Sequence, residues 1–156
     1  MQDTALMLHT LLELGESMLS DGADVRRVEQ TLTRMGLAYG AVRMDVFVIT
    51  SSIVLTMCFP DETSVTQTRR IEKSAVTDFG KLEAINAISR SYCKNPFPVQ
   101  ELADRLHLAK GCAPARWKLF AGSALAAGAL TVFFGGTLPD GAAAAVFALA
   151  LCVLQM

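Results

Sequence analysis

Charge is almost missing from the last quarter of this sequence. Between Leu119 and Met156 the only Asp, Glu, Lys or Arg is Asp140, although the whole chain carries 14 basic and 15 acidic residues. The charged fraction of 19% is close to that of a globular domain, whereas the hydrophobic fraction of 52% is high. The composition therefore predicts a globular domain joined to a more apolar segment. The net charge of −1 argues against a nucleic acid as a partner.

Several chemical signatures are missing as well. The four cysteines form no C-x-x-C pair, so nothing in their spacing requires a zinc site or a disulfide framework. The sequence contains no P-loop, dinucleotide-binding glycine pattern, H-E-x-x-H or G-x-S-x-G motif. We therefore expect no metal and no cofactor. The N-terminal stretch has no basic region and contains Asp3, Glu13 and Glu16, so we expect no signal peptide.

The uncharged stretch predicts membrane helices. After Lys118 about 20 residues carry no charge, which is enough for a helix to cross a hydrocarbon core of about 30 Å. We predict a membrane segment over residues 113–156, with a transmembrane helix over 117–138 and the start of a second helix over 141–156. Arg116 and Lys118 precede the uncharged stretch of the first helix, so the positive-inside rule places the N-terminal domain in the cytoplasm. The second helix is short for a span, so either it is short and tilted or the chain is a fragment of a longer membrane protein, and we favour the fragment.

Asp140 falls between the two predicted membrane helices. The sequence Pro139-Asp140-Gly141 is typical of a turn, and the simpler interpretation is a turn carboxylate at the level of the lipid headgroups. Alternatively, Asp140 and the Gly135-Gly136 break line a polar pathway, because ionisable groups near membrane depth are usually functional. Position in the sequence favours the turn and leaves the pathway open.

Residues 1–112 predict a single α+β domain with the element order ααβββαα. Apolar residues spaced three and four apart predict a first helix that ends at Ser20 and a second helix that Asp24 caps. Gly36 or Gly40 ends the second helix. Beyond the strands, a helix capped by Thr77 or Asp78 is followed by one that begins at Pro98.

Three strands are predicted between these helix pairs, over residues 42–49, 53–59 and 64–71. Their connections are too short for crossovers, so the sheet is predicted to be antiparallel. In the third strand, alternation places Thr66, Thr68 and Arg70 on one face and Gln67 and Arg69 on the other.

A row of hydroxyl groups that ends in an arginine can bind a carboxylate or a phosphate through hydrogen bonds and a bidentate fork. The plain alternative is a solvated strand face. Ser51 and Ser52 would need an activating base to act as nucleophiles, and the sequence identifies none. The candidates for substrate binding or gating are Glu29, Ser51, Ser52, Thr68, Arg70 and Asp140.

Together these segments resemble the threonine/serine exporter family over nearly the whole chain. The similarity is carried, in order, by GESMLSDGADVRRVEQTLTRMGLAYG, VFVITSSIVLTM, TQTRRI and RWKLFAGSALAAGALTVFFGGTLPD. The family-like positions are Gly22-Ala23, Val28-Glu29, Ser52, Thr68-Arg69-Arg70, Trp117 and Gly135-Gly136-x-x-x-Asp140. The resemblance implies a soluble domain ahead of a bundle of membrane helices. It also implies export of threonine and serine or, in the split two-subunit branch, of succinate across a bacterial inner membrane.

The resemblance carries expectations about partners too. They are the lipid bilayer, a small-molecule substrate, and either further copies of the chain or a second membrane subunit. The family has more membrane helices than the two predicted here, and a polar solute needs a pathway walled by several helices. The first hypothesis is therefore a non-enzymatic exporter component whose cytoplasmic domain gates the pathway or captures substrate. The alternatives are a membrane-tethered hydrolase, which would use Glu29, Ser51 or Ser52, and Arg70, and a regulatory domain without chemistry.

Overall fold

The computed structural model describes residues 2–71, 77–111 and 116–154. Its helices are α1 (Gln2–Ser20), α2 (Val25–Tyr39), α3 (Phe79–Lys94), α4 (Val99–Gly111), α5 (Arg116–Phe133) and α6 (Leu138–Leu154). Its strands are β1 (Arg43–Ile49), β2 (Ser52–Cys58) and β3 (Ser64–Arg70). The chain forms two compact units, residues 1–113 and 114–156. The predicted boundary between residues 112 and 113 lies outside the described residues.

The helix ends of the first unit form where the sequence places capping residues. The side chain of Asp24 accepts a hydrogen bond from Arg26 N at 2.9 Å and so caps α2. Gly40 ends α2 with φ at +118°, a left-handed conformation that glycine adopts without steric cost. Of the two caps predicted for α3, Asp78 is the one used, because it accepts from Lys81 N at 3.0 Å. The predicted start and stop signals of α2 are confirmed.

The three strands form an antiparallel sheet in the order β1-β2-β3, as predicted. Four of the six observed strand ends differ from the predicted ends by one residue, and the other two agree. Alternate residues of the central strand β2, Ile53, Leu55 and Met57, are fully buried beneath the helices. The sheet is therefore covered on one side, and the other side remains partly open.

Helix α1 lies at the centre of the core of this unit, in contact with α2, α3, α4 and the sheet. Its buried apolar residues include Met7, Leu8, Leu11, Leu14 and Met18, which are all inaccessible to solvent. Burial of each such side chain contributes about 1.5–3 kcal/mol relative to exposure. Gly15 lets the helix approach β2 closely, because a Cβ atom there would lie 2.7 Å from Ile53 Cδ1.

The predicted transmembrane helices are the part of the fold prediction that is wrong. Among the residues that the structure describes, no helix combines the length and the apolar character needed to cross a membrane. α5 begins with Arg116 and Lys118 and ends at Phe133 rather than at 138. The helix ends there because Gly135 has a left-handed φ of +94°. The backbone N–H groups of Gly135 and Gly136 donate to the carbonyls of Val132 and Thr131 and so close the last turn. A count of uncharged residues cannot detect this helix end.

The second unit is a pair of helices in close contact. Gly128 on α5 faces Gly141 on α6, and a Cβ atom on Gly128 would lie 3.2 Å from the Gly141 carbonyl oxygen. Further along the pair, the Cys152 thiol donates to Ser123 Oγ at 3.2 Å. These contacts pair the end of one helix with the start of the other, so α5 and α6 run antiparallel. Small residues on α5 allow this approach, as glycine and alanine do at other close helix contacts.

Candidate functional site

The strand register brings several predicted site residues together on the open side of the sheet, which we call the outer sheet face. Ser52 on β2 is the direct cross-strand neighbour of Arg70 on β3, and Thr68 lies opposite Val54. Residues opposite each other in an antiparallel pair have Cβ atoms about 5 Å apart. The hydroxyl of Ser52 and the guanidinium of Arg70 therefore belong to one local surface. Arg70 and Thr68 are exposed and Ser52 is half-buried.

The outer sheet face also has an apolar edge. Phe47 and Ile49 on β1 continue the rows of Val54 and Ser52, and they are 60% and 43% exposed. At the other end of the face, the hydroxyls of Thr56 and Thr66 form a hydrogen bond of 2.8 Å. A ligand on this face would meet a guanidinium, hydroxyl groups and an aromatic ring. That combination suits a small molecule with a carboxylate and an apolar part.

Ser51 lies in the turn between β1 and β2, next to the same face. Its carbonyl oxygen accepts a hydrogen bond from Ile71 N at 2.9 Å, which extends the pairing of β2 with β3 by one step. Its side chain is exposed. Among the hydrogen bonds of the described residues, none joins Ser51 or Ser52 to a histidine or a carboxylate that would act as a general base. The geometry of this face supports binding more directly than nucleophilic catalysis.

Glu29 lies away from Ser52 and Arg70, at the free edge of β1. It lines a surface groove of about 480 Å³ between α2 and β1, together with Gln30, Thr33, Arg34, Met44 and Val46. Its Oε1 atom accepts a hydrogen bond from Val48 N at 3.2 Å. This bond satisfies a backbone N–H that the edge strand does not donate to β2, so Glu29 fastens α2 to the sheet.

Asp140 belongs to the second unit and has a defined local role. Its Oδ2 atom accepts from the backbone N of Thr137 at 2.9 Å and from the Thr137 hydroxyl at 2.6 Å. A carboxylate that reaches back to the N-cap residue three positions earlier is one half of a capping box. The Thr137 hydrogen bonds lower the pKa of Asp140. The turn predicted at Pro139-Asp140-Gly141 is wrong in position, because α6 begins at Leu138 rather than at residue 141 and Asp140 lies in its first turn, which it caps.

A charged cluster that the sequence does not predict lies beneath β3. Arg69 points to the helix side of the sheet, where its Nε atom is 2.8 Å from Glu16 and its Nη2 atom is 4.0 Å from Glu13. Lys110 of α4 also reaches Glu13, at 3.3 Å. Within the part of the chain that the structure describes, Arg69 Nη1 is buried without a hydrogen-bond partner. The strand alternation gave the direction of Arg69, but only the fold places it against α1.

No group of three or more histidine, cysteine, aspartate or glutamate residues is arranged to hold a metal ion in residues 2–71, 77–111 and 116–154. The chain matches the family described as Putative threonine/serine exporter (ThrE) over residues 9–156. Comparisons with curated proteins and with solved structures found no match. The family match covers both compact units, and all six of the predicted site residues fall within it.

Proposed function

The chain belongs to the threonine/serine exporter family, and on that premise we propose that it is a component of a bacterial inner-membrane exporter of small polar metabolites. Family membership implies transport and an association with membranes. Threonine and serine are the first substrates to test, and dicarboxylates such as succinate are the second. The observation that carries this proposal is the family match, which leaves out only the first eight residues.

In this proposal the first unit faces the cytoplasm and captures substrate or gates the pathway. The arrangement of the outer sheet face supports a binding role, because Arg70 can form two parallel hydrogen bonds with a carboxylate. The Ser52 and Thr68 hydroxyls lie next to it on the same surface. Serine, threonine and succinate all carry a carboxylate, so one guanidinium would serve each of them.

The transport pathway in this proposal is built with further helices, from other copies of the chain or from a second membrane subunit. A polar solute needs a route walled by several helices. The α5–α6 pair offers surfaces for such neighbours, because Leu125, Phe133, Phe134 and Phe147 are each at least 70% exposed. Exposed apolar side chains of this size usually mark a surface that another apolar partner covers.

Efflux from cells that lack their own exporters tests the proposal. Cells are loaded with serine, threonine or succinate and express the chain alone or together with a candidate second membrane subunit. We expect efflux in the paired form. No efflux of any of the three substrates in either form, despite confirmed expression and membrane association, would overturn the proposed function.

Substitutions on the outer sheet face locate the substrate contact. Arg70→Gln is expected to reduce efflux roughly tenfold, because one charge-assisted contact to a carboxylate is lost. Arg43→Gln is the matched control, since Arg43 lies on the same face but opposite Cys58, three rows of residues away from Arg70. Equal loss of efflux in both variants would show a general effect of surface charge and remove Arg70 from the proposed site.

A further inference from the structure

A small groove between α2 and α3 gathers positive charge. Its volume is about 200 Å³, and it lies apart from the outer sheet face. Its lining comes from two residues of α2, Thr31 and Arg34, and four of α3, Ser89, Arg90, Cys93 and Lys94. Three of these six residues are cations and none is an acid.

Helix geometry explains why these side chains meet. On α3, Arg90 and Lys94 are four residues apart and therefore share one side of the helix. On α2, Arg34 is three residues beyond Thr31 and lies on the side that packs against α3. Thr31 is 4% exposed, whereas the three cations are exposed. The groove thus has a buried hydroxyl at its base and cations around its rim.

The hydroxyl groups at the base are already engaged by their own helices. Thr31 Oγ1 donates to the Arg27 carbonyl at 2.8 Å, and Ser89 Oγ donates to the Asn86 carbonyl at 2.9 Å. Ser89 is as well buried as Thr31, at 5% exposed. Both hydroxyl protons at the base are therefore used within their own helices, and the cations at the rim are left to interact with a ligand that enters the groove.

The three cations have no acidic partner among the described residues. The ion pairs found there use other basic residues, namely Arg43, Arg69, Arg105 and Lys110. Arg34 donates through Nε to the Gln30 carbonyl at 3.2 Å, which leaves its two terminal amino groups for another acceptor. Like charges four residues apart on a helix repel each other, so the Arg90–Lys94 pair is unfavourable without an anion.

Two further observations bear on this cluster. Lys94 lies in the last turn of α3, where the helix dipole favours a cation, but that does not account for Arg34 or Arg90. Burial raises the pKa of the Cys93 thiol, and the nearby Arg34 charge opposes that rise. Arg34 on α2 and Cys93 on α3 both line the groove, one from each helix.

We propose that this groove binds a phosphate group of a small soluble ligand, held by Arg34 from one side and by Arg90 and Lys94 from the other. A phosphate monoester carries a charge of about −1.5 to −2 and three acceptor oxygens, which suits three cationic donors. The groove has the volume of roughly seven water molecules, enough for a phosphate and a few further atoms.

The same chemistry excludes the amino acid cargo of the proposed exporter. The ammonium group of serine or threonine would face three cations, and the lining contains no carboxylate to receive it. The phosphate site is consequently distinct from substrate capture at Arg70, and it would allow a phosphorylated metabolite to influence the first unit. The inference stands on the groove alone and does not require the proposed function.

Calorimetric titration of the purified full chain with inorganic phosphate tests this site, at constant ionic strength maintained with sodium chloride. We expect saturable binding that weakens roughly three- to tenfold in Arg34→Gln and in Arg90→Gln, and that disappears in the double variant. Arg26→Gln is the matched control, since Arg26 is an exposed arginine of α2 outside the groove. We expect it to bind phosphate as the unchanged chain does.

Circular dichroism checks that each variant is folded, and the Arg34→Gln, Lys94→Gln variant, which also removes two of the three cations, replaces the double variant if that one is not. We expect phosphate to raise the melting temperature of the unchanged chain and not that of the double variant. Absence of phosphate binding, equal loss in Arg26→Gln, or serine binding that the double variant abolishes would each overturn the proposal. Binding to phosphatidic acid vesicles without binding to free phosphate would overturn it as well, because the site would then be a lipid contact.

Discussion

Replacement of Glu29 separates two roles that one carboxylate could have. In the structure its Oε1 atom accepts from Val48 N at 3.2 Å and joins α2 to the edge strand β1. Glu29→Ala removes this acceptor, whereas Glu29→Gln keeps an acceptor oxygen and removes the charge. If Glu29 serves only the fold, Glu29→Ala loses stability and Glu29→Gln does not. If Glu29 binds substrate through its charge, both variants lose efflux.

The expected size of the effect follows from the burial of the bond. A hydrogen bond to a charged group contributes about 1.5–3 kcal/mol when it is well buried. Glu29 is half-buried, and water can reach Val48 N once the side chain is gone, so we expect Glu29→Ala to cost about 1 kcal/mol. That is about a fivefold change in the folding equilibrium. For Glu29→Gln we expect a cost below about 0.5 kcal/mol.

Urea denaturation of the full chain measures the change in the free energy of unfolding. Hydrogen exchange of a peptide that contains Val48 measures how well its amide is protected. Gln30→Ala is the control, because it makes the same change in helix propensity at the next exposed position of α2. Equal stability of Glu29→Ala and Gln30→Ala would show that the Val48 hydrogen bond does not hold α2 to the sheet. If Glu29→Gln is as stable as the unchanged chain yet loses efflux, Glu29 acts through its charge on substrate.

Three further predictions concern the second unit and the charged cluster. Gly141→Ala should destabilise the α5–α6 pair, since its Cβ atom would lie 3.0 Å from Val132 Cγ2 and 3.1 Å from the Gly128 carbonyl oxygen. Gly122→Ala, with nothing within 4 Å of its Cβ position, should instead stabilise α5 by about 1 kcal/mol, and equal thermal stability of the two would contradict the close contact. Asp140→Ala should loosen the start of α6, which would be detected as faster hydrogen exchange there, and unchanged exchange at pH 7 would refute the capping role. Because the pKa of Asp140 is lowered in the folded state, its contribution to stability is full above about pH 4 and is lost as the pH falls through the folded pKa. Arg69→Gln should lower the urea midpoint more than Arg70→Gln, because Arg69 is partly buried against Glu16 and Arg70 is exposed, and the reverse order would contradict the placement of these two side chains.

The local elements of the first unit followed from the sequence. Asp24 and Gly40 end α2 where the cap and stop signals lie, and the strands pair through connections too short for anything but an antiparallel sheet. Such features depend on residues close in sequence, namely a side chain and the backbone amide two positions later, or a glycine that adopts a positive φ. Alternation along β3 also gave the opposite directions of Arg69 and Arg70.

The second unit shows where the same reasoning was insufficient. The uncharged stretch after Lys118 predicts a membrane helix that continues to residue 138, but Gly135 ends α5 earlier, and no helix of the described residues has the length and apolar character to span a membrane. The hydrolase alternative would need Glu29, Ser52 and Arg70 together in one site. Register makes Ser52 and Arg70 neighbours, whereas the packing of α2 takes Glu29 to the β1 edge.

The sequence by itself determined the element order, the helix caps, the antiparallel sheet and the resemblance to the exporter family, because these are written in local patterns and in the order of motifs. Only the tertiary structure decided which distant side chains meet. Glu13 and Arg69 lie more than 50 residues apart in the chain, and Arg34 and Arg90 are equally distant in sequence, yet each pair is brought together by helix packing. Such contacts depend on how α1, α2 and α3 pack on the sheet, which no local pattern specifies.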